Sequence, residues 1–311
     1  MDRLDTMKVF AAVAQARGFA PAARSLGLSP PAVTRAVVAL ETHLGVQLLR
    51  RTTRSVTLTE AGERFHADCR RILADLAEAE AAASGAHAAP QGLLAVTAPS
   101  MFGRLHVAPL LLAFLAAQPS ITVRSHFADH IVHLLDEGFD VAVRIAQLPD
   151  SGLSAVRVGH VRRVLVAAPA YLAAHGAPAD PAALEQHAAV GFTGGSGMAA
   201  PWTFFPPGRK SKADGVTVQP RLRLLANTSE MSIAAAMAGA GLARAMSYQV
   251  AADVLAGRLV ILLPEHEPAP VPVQLVHAEG RRTAAKTRAF IDFAVERLRR
   301  EPVLNGTLAW P

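Results

Sequence analysis

The apolar positions at the start of the chain fall at helical spacing. Leu4, Met7, Phe10 and Ala14, with Val13 beside them, make one stripe on a helix that ends near Gly18. A short second helix is expected over 20–26, with Pro21 in its first turn, where a missing N–H costs little. Gly27 permits a sharp turn. Ser29 then stands at an N-cap position, and Pro30 and Pro31 open a third helix. Val33, Val37, Leu40 and Leu44 form its inner face until Gly45 ends it, while Thr34 and Arg35 point outward. Over 47–58, apolar residues flank a basic, hydroxyl-rich tip that carries Arg51, Thr52 and Arg54, the pattern of a β-hairpin. Thr59 suits the cap of a following helix, and Glu60 suits the positive end of its dipole. Phe65, Cys69, Ile72, Leu76, Ala79 and Ala83 along that helix are spaced 4, 3, 4, 3, 4. Such a heptad seam wants a partner helix, the alternative being that it packs on its own domain. Cys69 in the seam reads as a small apolar filler.

After a short linker at 84–90 the pattern changes. Strands are expected at 93–97, 121–126, 139–144, 189–193, 222–225, 242–246 and 273–277, and helices at 101–117, 130–137, 229–240 and 283–300. A hairpin-like pair, 202–205 and 216–219, surrounds Pro206-Pro207-Gly208, and 264–272 is a proline-rich return crossing. This alternation predicts an α/β fold with a largely parallel sheet. The residues after Glu301 read as a frayed tail.

Composition narrows the class. The chain has 311 residues, of which 51% are hydrophobic and 18% charged, which excludes general disorder. A single cysteine excludes a disulfide-stapled scaffold. The apolar stretch 108–117 is short for a bilayer, and residues 1–10 lack the apolar core of a signal peptide. A cytoplasmic protein with no membrane partner is the expectation. The net charge of +6 is uneven: residues 1–59 hold eight basic and three acidic groups. A basic head on a near-neutral body suits a polyanion, with a solvated basic surface as the plain alternative.

Charge and pattern together describe a helix-turn-helix with a wing. The second helix of such a pair enters the DNA major groove and offers its N-terminal side chains to base edges. Ser29, Pro31, Ala32, Thr34 and Arg35 occupy that end. Thr34 and Arg35 are expected near bases, with Ala32 against a thymine methyl. Arg51, Thr52 and Arg54 are expected at the backbone or minor groove.

The run from Phe19 to Gly62 resembles the winged helix-turn-helix of LysR-type transcriptional regulators. Phe19, Ala22, Ala23, Leu26, Ser29, Ala32, Val33, Leu40, Glu41, Leu44, Gly45, Leu48, Arg51, Leu58, Thr59 and Gly62 stand at the family's spacing. The family often has serine where this chain has Pro31 and Thr34; Thr34 keeps the hydroxyl and Pro31 loses it. APSMFGRLHVAPLLLAF, LLDEGFDVAVRIAQLPDSGL, AAAMAGAGLARAMSYQVAADVLAGRLVILL and GRRTAAKTRAFIDF are similar to the family's regulatory domain. The resemblance implies an α-helical winged helix-turn-helix head over 1–59 and a dimerising linker helix over 60–86. It implies an α/β, two-subdomain, periplasmic-binding-protein-like effector domain, with 87–162 and 268–300 in one subdomain, 163–267 in the other and 301–311 as tail. It further implies double-stranded DNA and a small-molecule effector as partners, a homodimer through the linker helix, and a homotetramer.

In open sheets, ligands sit beyond the carboxyl ends of strands, near helix N-termini. Here one strand leads into Ser100, Met101 and Phe102, and another into Asn227 and Thr228, with Asn227 and Glu230 spaced as a capping box. If both ends face one cleft, their N–H groups and hydroxyls suit a carboxylate. Arg144 offers a cation, and Phe127, Ala128, Phe192 and Thr193 follow their strands as walls. Catalytic readings fare worse. Gly194-Gly195-Ser196-Gly197-Met198 misses the last glycine of a nucleophile elbow. Arg244 stands where a dinucleotide fingerprint opened by Gly239 and Gly241 needs glycine, and His266-Glu267 lacks the second histidine of a zinc-protease helix. His126, His130 and His133 suit one helical face, but His126 falls in a strand. No catalytic residue, metal or cofactor is expected. The competing readings are a constitutive DNA-binding protein without ligand response and a solute-binding protein fused to an interaction head.

Overall fold

The computed structural model describes residues 2–51, 56–83, 89–134, 136–148, 152–193, 201–208, 214–278 and 284–311. They form two compact units, Met1–Ala88 and Ala89–Pro311. In the first, α1 (Arg3–Ala16) is capped by Asp2, whose side chain accepts the Asp5 N–H at 2.7 Å. α2 (Phe19–Leu26) and α3 (Pro30–Leu44) end on Gly27 and Gly45 at φ 65° and 68°, a left-handed backbone that favours glycine. Ser29 holds the N-cap position of α3, but its side chain makes no capping bond; the Ala32 N–H goes to the Ser29 carbonyl instead. β1 (Leu49–Arg51) and β2 (Val56–Leu58) pair antiparallel, with Leu49 opposite Leu58. The tip residues Thr52 and Arg54 lie outside the described residues. α4 (Glu60–Ala83) starts on the expected cap, the Thr59 hydroxyl accepting the Gly62 N–H at 2.9 Å. Met7, Phe10, Val13, Val33, Val37, Leu40, Leu48 and Cys69 make the core, and the Phe10 and Phe65 rings stand 5.7 Å apart. The N-terminal part of the seam is therefore used inside this unit. Ile72, one turn on, is 39% exposed.

The second unit holds two mixed sheets. β3 (Gly92–Ala98) leads into one helical run: α5 (Ser100–Phe102), a π-helical turn over Gly103–Val107, and α6 (Ala108–Ala117). The run is long and apolar enough to cross a membrane, and its Phe102, Val107, Leu110, Leu111 and Phe114 are buried in the unit's own core. β4 (Ile121–Phe127), β5 (Val141–Ile145) and β6 (Leu153–Val161) follow, then β7 (Arg163–Ala167), α7 (Pro169–His175) and β8 (Ala188–Phe192). β9 (Trp202–Phe204) and β10 (Val216–Val218) form the expected antiparallel pair. β11 (Arg221–Ala226), α8 (Ser229–Met237), β12 (Leu242–Met246), α9 (Ser247–Leu255), β13 (Val260–Leu262), β14 (Val271–Ala278), α10 (Ala285–Leu298) and α11 (Pro302–Asn305) complete the unit.

The first sheet runs β4-β3-β5-β14-β6 and the second β11-β8-β12-β7-β13. Each has three strands joined in parallel, and the rest join antiparallel. The expectation of a largely parallel sheet is corrected accordingly. The chain passes between the sheets twice, and each passage delivers a strand, β7 or β14, against its new neighbours. Residues 130–137 are not a helix: among those described, Val132 and Leu134 are buried while Ile131 is 81% exposed, which is not a helical stripe. The capping box does not form, because Thr228, not Asn227, caps α8 through the Met231 N–H at 3.3 Å. The expected tail is packed: α11 buries Leu304 completely.

Candidate DNA interface and effector cleft

On the first unit, α3 presents its N-terminal end outward. Ser29, Pro31 and Arg35 are exposed, and Ala32 and Thr34 half-buried. The Thr34 hydroxyl donates to the Pro30 carbonyl at 3.0 Å, which still leaves oxygen lone pairs on the outer face. Arg51 lies on β1 at the start of the wing, opposite Val56. The wing is held to α3 by a residue that pattern reading passed over. Glu41 accepts the Leu48 and Leu49 N–H groups at 2.9 and 3.0 Å, so one carboxylate oxygen satisfies the entry to β1. The signal was there: an acid on a helix whose neighbouring charges are basic.

On the second unit, the helix starts after β3 and β11 meet. Ser229 of α8 directs its hydroxyl at the Met101 sulfur of α5, 3.6 Å away, with both residues buried. Phe102 lies edge-on to Tyr248 at 5.1 Å, and His106 sits 4.8 Å from Phe102 and 5.7 Å from Tyr248. Burial lowers the His106 pKa to about 4, and its Nε2 has no hydrogen-bond partner among the described residues. Phe127 closes over Gly103, whose missing side chain leaves room for the ring. Ala128 is half-buried, and its N–H goes to the Ala98 carbonyl. The Thr193 N–H goes to the Ala226 carbonyl, which brings Phe192 and Thr193 beside the end of β11; Asn227 and Thr228 are exposed.

Two expectations about charge change. Ser100 does not hold its N–H open for a ligand. Its N–H is taken by the Asp129 carboxylate at 2.9 Å, so the chain supplies its own anion there. Glu230 accepts from the Ser229 hydroxyl at 3.3 Å and stands 3.9 Å from Arg104. Burial first, then the Asp129 charge, pushes the Tyr248 phenol up, and Glu230 adds to it. Arg144 is committed elsewhere, donating to the Val132 carbonyl. Burial lowers its pKa and the Glu137 charge opposes that. Asp129 and Tyr248 were thus missed, because their roles depend on long-range placement, while Glu230 was read only as half of a capping box. A separate cavity of about 490 Å³ is lined by Leu105, His106, Pro109, Leu110, Arg297 and Arg300, among others, and by none of the expected effector residues.

Comparison with known proteins matches this division. Residues 87–299 match the family model of the LysR substrate binding domain. Residues 4–63 match that of the bacterial regulatory helix-turn-helix proteins of the lysR family. The chain is 35% identical over 301 residues to the HTH-type transcriptional regulator PtxR of Pseudomonas aeruginosa, covering 96% of this chain and 94% of that one. It is 33% identical over 290 residues to DmlR of Escherichia coli, covering 93% and 92%. Among solved structures, CrgA, a LysR-type transcriptional regulator from Neisseria meningitidis, is similar with a TM-score of 0.59 at 30% identity, covering 96% of this chain and 99% of that one.

Proposed function

Because the chain belongs to the LysR family of helix-turn-helix transcriptional regulators, we propose that it binds a partly palindromic double-stranded DNA site and answers to a small-molecule effector. The reading places it in the cytoplasm as a homodimer paired through α4, and as a homotetramer in its assembled form. Arg35 and Thr34, with Ala32 beside them, read bases, while Ser29 and Pro31 lie at the groove edge. Arg51, Thr52 and Arg54 grip the backbone or minor groove. The effector sits where the helix starts of α5 and α8 meet, among Ser100, Met101, Phe102, Phe127, Ala128, Phe192, Thr193, Asn227 and Thr228. Arg144 supports the wall from behind rather than offering a free cation. A carboxylate effector is favoured, since it would take over the Ser100 N–H that Asp129 now holds.

The observation that carries this reading is the 3.6 Å approach of Ser229 to Met101, which sets the ends of two sheets against each other, in one chain with a basic helix-turn-helix head. Effector binding then shifts the population between two arrangements of paired subunits, and so the spacing of their heads. Fluorescence anisotropy tests the DNA half, using the duplex upstream of the protein's own gene, a scrambled duplex and a salt series. Specific binding should weaken with salt, and Arg35→Ala should lose about tenfold or more in discrimination. Equal binding of both duplexes by the wild type would instead describe a constitutive, sequence-blind protein. A DNA footprint and bend that ignore every carboxylate metabolite offered would overturn the effector half.

A further inference from the structure

The chain passes between the two sheets at two places, and both are tied to one cluster. The first passage is a single residue, Arg162, between β6 and β7. The second, 263–270, carries Glu267. Arg162 donates from Nε and Nη2 to the two Glu267 carboxylate oxygens at 2.7 and 2.6 Å, a planar fork that joins the passages to each other. Glu267 is only 7% exposed. The backbone of Arg162 is pinned as well. Its N–H goes to the Ser247 hydroxyl at 3.0 Å, and its carbonyl accepts the Ser247 N–H at 2.8 Å. Ser247 opens α9, on the second sheet's side.

Residues 302–311 lie across this cluster. Trp310 stacks its ring on the Arg162 guanidinium at 5.2 Å. Leu304 fills the space above Gly159: a Cβ there would come within 2.6 Å of the Leu304 carbonyl oxygen and 2.9 Å of its Cβ. A Cβ on Gly306 would lie 3.5 Å from the His160 ring. α11 thereby packs on the end of β6 and also beside α9. The segment thus touches the last residues before the passage, the passage itself, and α9, the helix whose Ser247 pins the passage.

We propose that residues 302–311 form a strap that locks the hinge between the two sheets, with Trp310 sealing the Arg162–Glu267 pair from water. An ion pair gains strength as water is excluded, and a cation on an aromatic face gains again. Rotation of one sheet against the other must turn the backbone at 162, and this reorients a fork that spans both passages. The strap makes that motion costly while it stays docked, and its release makes the hinge pliable. The strap does not rest on the effector reading, and its test needs neither DNA nor effector.

Hydrogen exchange on the full-length protein reads the strap. Trp310→Ala should speed exchange about fivefold or more in peptides covering 158–166 and 264–273, and leave β8 and β11 unchanged. Trp310→Phe should keep most of the protection, because the aromatic face remains. Gly159→Ala lifts the same strap from the strand side and should reproduce the Trp310→Ala pattern. Unchanged exchange at both passages in Trp310→Ala would overturn the proposal. An equal rise across both sheets would overturn it too, since it would make the segment a general stabiliser rather than a hinge lock.

Discussion

Two glycines at the ends of α2 and α3 and one under the wing look alike in sequence and differ in what they permit. Gly27 and Gly45 face open space, and glycine serves them by its left-handed backbone alone. Gly62 has no such backbone need. A Cβ there would fall 2.0 Å from the Leu48 carbonyl oxygen, which is backbone and cannot swing aside. The first turn of α4 is pressed against the entry of β1, and only hydrogen fits. Gly62→Ala should therefore destabilise the head by about 2 kcal/mol or more, by forcing α4 off the wing. Urea unfolding of the variant followed by circular dichroism checks this; a midpoint equal to wild type would mean that α4 and β1 part freely. Cys69, on the same helix, shows the opposite case of a residue whose plain reading holds. It is fully buried, and burial, with the Asp68 charge, pushes its thiol up to about 11, so it behaves as an apolar filler.

At the level of elements, what was legible depended on whether a contact was local. The periods of α1 and α3, the Pro21 start of α2, the glycine ends of α2 and α3, the Thr59 cap and the strand Leu242–Met246 all follow from neighbours a few residues apart. The segment 130–137 failed because its conformation serves distant partners. Just before it Asp129 meets the Ser100 N–H, and within it Val132 meets Arg144. Those bonds override a weak helical pattern. β6 went unread for a related reason: among the described residues it pairs only with β14, which arrives from the other sheet 110 residues later in register, Val161 facing Val271. The wing lies between these cases, since the residue that anchors it stands only seven positions before Leu48. Its pairing to β2 was legible, but its anchor on Glu41 was not. Glu41→Ala removes the acceptor of two N–H groups at once and should cost about 2 kcal/mol. Glu41→Gln should restore most of it, since the amide oxygen still accepts. Thermal melts of the two variants distinguish an anchor from a merely exposed acid, which would tolerate both changes.

For the molecule as a whole, the second unit holds a half-buried histidine where its two sheets meet, and this gives stability a pH dependence of known sign. His106, in the π-helical turn, packs against both Phe102 of the first sheet's helix and Tyr248 of the second's, which also touch each other. Burial holds its folded pKa at about 4, against 6.5 for the free side chain. Between those values the unfolded chain takes up a proton that the folded chain refuses. Stability is therefore complete above about pH 6.5, falls as pH drops through the unfolded pKa, and stops falling below the folded one. By pH 5 the loss from this residue is roughly 2 kcal/mol. Burial lowers His187 and His66 as well, with help from the His175 and Arg70 charges, so both act in the same direction. Guanidinium midpoints at pH 7.5 and pH 5 read the effect above the range where most carboxylates titrate. The wild type should lose stability on acidification, and His106→Phe should lose clearly less, because phenylalanine fills the same aromatic slot and carries no proton. If both proteins lose the same amount, the proton is taken up elsewhere, and His106 does not couple the meeting of the two sheets to pH.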